Sequence, residues 1–202
     1  MISALICGMV LTSCGTDVDE NSVVIETSSI KAMSVENVNN NIVTVKAIIW
    51  SYKQHSDGEW YSVAHEVASS KFENGGFELI FSENVPYEFL FPESDRIVPE
   101  GVAVSDIKAK TGLIEIEEYS STGNRTGCIF MFSNDNHWII EFIYADRDFT
   151  EKGKTQYGEE YDCTYNEGWN IRYRLSSYGP NKFTTKKPLN GNFKCYYVRP
   201  IR

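Results

Sequence analysis

The chain has 202 residues, with 19 Lys and Arg against 28 Asp and Glu, for a formal charge of −9. That balance argues against nucleic-acid phosphate as a partner, because such binding needs clustered cationic side chains. A hydrophobic content of 42% with 23% charged residues excludes a disordered chain or a multi-span membrane protein, and the length suits one domain or two small ones.

Residues 1–12 carry no charge, and Ala4 to Leu11 is an almost unbroken apolar run. It is too short to span a bilayer but matches the apolar core of a secretory signal. The usual basic opening is missing, since the first cationic residue is Lys31. The run ends in Leu11-Thr12-Ser13-Cys14-Gly15, which resembles the bacterial lipoprotein signal. That resemblance implies a diacylglyceryl group on the Cys14 thiolate and cleavage that leaves Cys14 first. Asp17, Asp19 and Glu20 follow, resembling the acidic export tag of Bacteroidetes-type surface lipoproteins; a solvated tether explains them as well. The expected organisation is a signal peptide over 1–13, an acidic tether over 14–41 and a folded body over 42–202. Ile30, Met33, Val35 and Val38 fit a brief helical stripe within that tether, too short to stand alone.

From Ile42 onward the pattern is period-two alternation broken by turn residues. Val43, Val45, Ala47 and Ile49 share one face of a first strand, which turns at Asp57-Gly58 into a strand from Trp60. Asn74-Gly75-Gly76 predicts a tight turn joining 66–73 to 77–81, because a type I′ turn needs positive φ at both central positions. Pro86 to Phe91 reads as a further short strand. Ile114 and Ile116 alternate with Glu115 and Glu117, which places the two carboxylates on a solvated face about 7 Å apart. Strands over 126–132 and 137–145, apolar on most positions of both faces, are expected at the centre of the fold. Trp169, Ile171, Tyr173 and Leu175 alternate with Asn170, Arg172, Arg174 and Ser176 as a half-exposed strand, and 182–186 and 193–198 follow.

Ten to twelve short strands at hairpin spacing, without a long helix, predict an all-β antiparallel sandwich. The stretch Val43 to Phe91, with Asn74-Gly-Gly-Phe77-Glu-Leu79 inside it, resembles transthyretin-like and carboxypeptidase-regulatory-like sandwiches. The run Phe142 to Gly153, with Tyr165-Asn-Glu-Gly-Trp169-Asn, is similar to a pattern in small Bacteroidetes-type lipoproteins. These resemblances imply a fold and a location, and no catalytic residues.

The search for chemistry is mostly negative. His65-Glu66-Val67-Ala68-Ser69 begins like a zinc-protease helix, but Ser69 stands where the second His must be and the segment reads as a strand. Glu115 and Glu117 lie at a separation glycosidases use, yet regular alternation already explains them. Asp146-Arg147-Asp148 and Asn134-Asp135-Asn136 lack calcium-loop spacing; pairing of Asp146 or Asp148 with Arg172 or Arg174 is as plausible. No cofactor or metal site is therefore expected. With Cys7 removed and Cys14 lipidated, Cys128, Cys163 and Cys195 remain, each beside apolar residues, reading as buried thiols or as one disulfide plus a thiol.

Trp50, Tyr52 and Trp60 are the candidate binding residues, because the hairpin through Asp57-Gly58 brings all three to its less apolar face. The competing reading buries them under a second sheet. The expected function is a non-enzymatic, lipid-anchored protein of the cell envelope, on the outer membrane and displayed at the surface, with a binding or assembly role. Its partners are the membrane, through the lipid, and a glycan or envelope protein. A glycan-binding module of a polysaccharide-uptake system is the first alternative. A small hydrolase, whose site would need a pocket with converging acids or His, is the second.

Overall fold

The computed structural model describes residues 23–38, 41–92, 98–133, 137–175, 179–188 and 193–198. Cys14, the apolar leader and the Asn134–Asn136 turn lie outside these residues. The structure is all-β, as the alternation predicts, with sixteen strands in two sheets among the described residues.

Three short strands, β1 (Val23–Glu26), β2 (Ser29–Ala32) and β3 (Val35–Glu36), precede the long β4 (Ile42–Gln54) and β5 (Trp60–Lys71). The expected tether therefore does not reach residue 41. Ile30 and Ala32 are buried in the main core, and alternation rather than a helical stripe organises the segment, since Lys31 between them is exposed. Next come β6 (Phe77–Ile80), β7 (Phe91–Pro92), β8 (Val102–Val104) and β9 (Lys110–Ser120). The chain then forms β10 (Arg125–Ser133), β11 (Trp138–Ala145), β12 (Phe149–Lys154) and β13 (Glu160–Tyr165). It ends with β14 (Gly168–Leu175), β15 (Lys182–Thr184) and β16 (Phe193–Val198).

The turn at Asn74-Gly75 forms as expected, with φ of 53° and 81°, closed by Glu73 and Gly76. It does not return the chain along β5, however. β6 crosses to the small sheet and pairs with β2, in the order β1-β2-β6. Gly76 lies so close to the carbonyls of Ala32 and Met33 that a side chain would collide with β2. The expected strand over 86–91 is mostly a 3-10 turn, Tyr87–Phe89, opened by Pro86, whose fixed φ of −60° suits its position before the turn.

The other thirteen strands form one large sheet with β9 as its spine. One edge of β9 is lined by β7 and then β4; the other is lined by β11 and then β10. The inner face carries Val45, Ala47, Ile49, Ile114, Ile116, Ile129, Met131 and Phe142, packed against Ile30, Phe77 and Leu79 of the small sheet. This is the sandwich core. On the reverse face, the sheet continues through β14, β15, β13, β12 and β8. These strands enclose a second core of Ile143, Ala145, Phe149, Cys163 and Tyr165. β14 is consequently covered on both faces rather than half exposed, with Asn170 and Arg172 buried on its reverse side. The strands β4, β5, β9 and β10 keep much of their reverse face open.

Candidate binding site

The open face is built by the β4–β5 hairpin and the registers beside it. Gln54 pairs with Trp60, Tyr52 with Ser62 and Trp50 with Ala64, so Trp50, Tyr52 and Trp60 share the reverse face. Gly58, at φ 92°, supplies the turn between the strands. Tyr52 is 60% exposed and Trp60 66% exposed, so no second sheet covers them. Tyr52 lies 6.3 Å from the ring of Phe91, which extends the aromatic surface toward β9. Trp50 differs. It is half-buried, and its indole N–H donates to Oε1 of Glu117 at 2.9 Å. Trp50 therefore supports the face, while Tyr52 and Trp60 present it.

Glu117 does not sit on a solvated face, as its alternation with Ile116 led us to expect. Its side chain has no exposure, whereas Glu115 two residues earlier is exposed. Arg125 Nε reaches Oε1 of Glu117 at 2.9 Å, and Tyr119 donates its hydroxyl to Oε2 at 2.7 Å. Trp50, Arg125 and Tyr119 together satisfy a buried charge that would otherwise be costly. Arg125 also donates from Nη2 to Glu115 at 3.1 Å and to the sulfur of Cys128 at 2.9 Å. Burial pushes the Glu115 carboxyl above its ordinary range, and Glu117 adds to this while Arg125 opposes it. Lys46, 5.0 Å above the Tyr119 ring, pairs with Glu66 and closes the cluster on the β5 side.

A hollow of about 490 Å³ adjoins this cluster. It arises where the spine changes partners. β9 pairs with β11 only through Leu113 and resumes pairing, with β10, at Ile116. β10 and β11 then meet at Met131–Ile140 and Phe132–Ile139. The three strands thus enclose a gap, lined on the reverse face by Leu113, Glu115, Cys128, Phe130, Ile139 and Glu141, together with Arg125 and Arg174. Leu113 and Phe130 are exposed. Glu141 is held by Arg172 Nε at 2.7 Å and Arg174 Nε at 2.8 Å, so Asp146 and Asp148 do not pair with these arginines. Asp146 instead binds Arg147 and the backbone N–H of Lys110, and Asp148 accepts the N–H of Glu167.

The three thiols among the described residues are free. Cys163 and Cys195 are fully buried, and burial pushes Cys195 up to about 12. Cys128 is only partly covered and lines the hollow, contrary to the expectation of three buried thiols. Burial raises its pKa, with Arg125 opposing. Among the described residues no cluster of three His, Cys, Asp or Glu suits a metal ion, and no helix is long and apolar enough to cross a membrane.

One buried acid is unlike the rest. Glu118 points to the inner face, between Val45 on β4 and Gly127 on β10, and among the described residues neither carboxyl oxygen has a hydrogen-bond partner. Burial alone pushes its pKa up to about 7. The sequence carried a clue, since two consecutive acids in an alternating strand cannot both face solvent.

Comparison of the chain with known protein-family models, with curated proteins and with solved structures found no match.

Proposed function

We propose that the protein is a non-catalytic binding module of the cell envelope, tethered by lipid on Cys14, which engages its partner through the open reverse face around Tyr52 and Trp60. The observation that carries the reading is the placement of two large aromatic rings, 60% and 66% exposed, on the sheet face that also carries the hollow. Exposed apolar surface and a concavity on one face are features of interaction sites. The carboxylates and guanidinium groups beside it are tied to one another, which suits a preorganised surface.

The glycan-binding reading stays as the second, favoured by the same rings, because aromatic faces pack against the apolar faces of sugar rings. The test has two arms. Metabolic palmitate labelling should mark the wild-type protein and not Cys14→Ala; an unlabelled wild type sinks the anchor. The double variant Tyr52→Ala/Trp60→Ala, with an unchanged melting temperature, should lose its cross-linked envelope partner or its retardation in polysaccharide gels. Retardation that depends on these rings selects the glycan. Unchanged behaviour in both assays sinks the binding face.

A further inference from the structure

The hollow at the β9–β10–β11 junction has a different chemical character from the aromatic platform on the same face. Its volume of about 490 Å³ falls within the range of small-molecule sites, about 300–1,000 Å³. Leu113, Phe130 and Ile139 make much of its wall apolar, and its charged groups are Glu115, Glu141, Arg125 and Arg174.

The two arginines are not equivalent. Arg125 is engaged on Nε by Glu117 and on Nη2 by Glu115 and Cys128. Arg174 gives only Nε, to Glu141, and among the described residues nothing hydrogen-bonds its Nη1 or Nη2. The second oxygen of Glu141 is already taken by Arg172, so one carboxylate serves two guanidinium groups. Arg172 is buried and is also felt by Tyr165 and Glu151, and Arg125 is committed on two nitrogens, which leaves Arg174 as the less engaged of the two cations lining the hollow. Its side chain is 28% exposed, oriented through Nε, with its terminal fork uncommitted. A guanidinium in that state favours a carboxylate, which it binds through two parallel N–H donors.

We propose that the hollow binds a single-chain amphiphilic acid, an acyl or aryl carboxylate. The chain lies against Leu113, Phe130 and Ile139, and the head is held by the Nη fork of Arg174. An apolar body on the order of a dozen carbons suits this volume. The assignment rests on the reading of this face as the binding face and names one ligand class for it. Cys128, on the wall, reports occupancy without any substitution, because a chain in the hollow covers its sulfur.

The test uses the full chain with decanoate, below its micelle concentration, and 1-decanol as the neutral counterpart. Alkylation of Cys128 by N-ethylmaleimide, read by peptide mass, should slow at least fivefold with saturating decanoate. Calorimetry should give one site, and Arg174→Met should weaken decanoate about tenfold or more while leaving decanol binding in place, which also shows that the variant folds. Unprotected Cys128 in the wild type, or undiminished decanoate affinity in Arg174→Met, overturns the proposal. Trp60→Ala separates the two readings. If it loses the envelope partner while decanoate never binds, the ligand assignment falls and the binding face stands.

Discussion

Glu117 and Glu118 are neighbours on β9 with no exposed surface between them, yet one is held by three donors and the other by none. The strand turns Glu117 to the reverse face, beside Trp50, Arg125 and Tyr119. It turns Glu118 into the sandwich core beside Val45. The same chemistry thus locks one face and loads the other with a group best kept protonated.

For Glu118 the sign follows from its raised pKa. The folded state holds the proton up to about pH 7, whereas the unfolded chain releases it near 4.5. Folding is then favoured below pH 4.5 relative to alkaline pH, and this contribution is lost as pH rises from 4.5 through 7. Glu118→Gln removes it. The variant should gain on the order of 2–3 kcal/mol over the wild type at pH 8 and little at pH 4.5. Urea denaturation of both proteins across that range measures the difference, and a pH-independent difference refutes it.

Glu117 should respond in the opposite way. Glu117→Ala leaves Arg125 Nε and two neutral donors without their acceptor, while Arg125 keeps Glu115, and should cost about 2–3 kcal/mol. Trp50→Phe removes one hydrogen bond to a charged group and should cost about 1.5–3 kcal/mol. Because the two residues are in contact, the double variant should lose less than the sum of the single losses, read from thermal or urea unfolding.

The three described thiols should react in a fixed order. Under native conditions an alkylating reagent should modify Cys128 and spare Cys163 and Cys195, which should react only on unfolding. The Cys128 rate should rise with pH and stay below that of an exposed cysteine at neutral pH, since its pKa is raised. Peptide mass analysis after timed alkylation gives the order.

Two turn glycines separate steric demand from backbone demand. Gly76→Ala pushes a methyl group into the carbonyls of Ala32 and Met33 and should destabilise the protein by about 2 kcal/mol or more, disturbing β2–β6 pairing. Gly123, at φ 78°, has open space around its Cβ position. Gly123→Asn, which tolerates that φ, should cost only a few tenths of a kcal/mol. Equal losses in a melting experiment would contradict this account.

The fold class was legible because alternation carries one bit per residue, and β10 and β11 were placed nearly to their ends. Pairing was less legible. The turn at Asn74-Gly75 was readable from φ preference alone, but nothing local says that β6 leaves β5 for β2, because partner choice depends on the distant Ile30 and Ala32. Residues 23–38 were too short and polar to advertise strands that form only against a completed core. Trp50, Tyr52 and Trp60 fall on one face because register follows from the Asp57-Gly58 turn. Their unequal roles depend on Glu117, whose partner Arg125 enters from another hairpin. The hollow had no sequence signature at all, because it comes from β9 changing neighbours.

The early start of the folded body bears on where this face can work. Between Cys14 and Val23, the first strand residue among those described, lie nine residue steps. With lipid on Cys14 as proposed, they extend to about 30 Å at the most. That is a leash comparable to a bilayer's thickness rather than a long stalk. If the proposed anchor holds, a body so close to the lipid would meet partners at the membrane surface, and its orientation there would become part of its specificity.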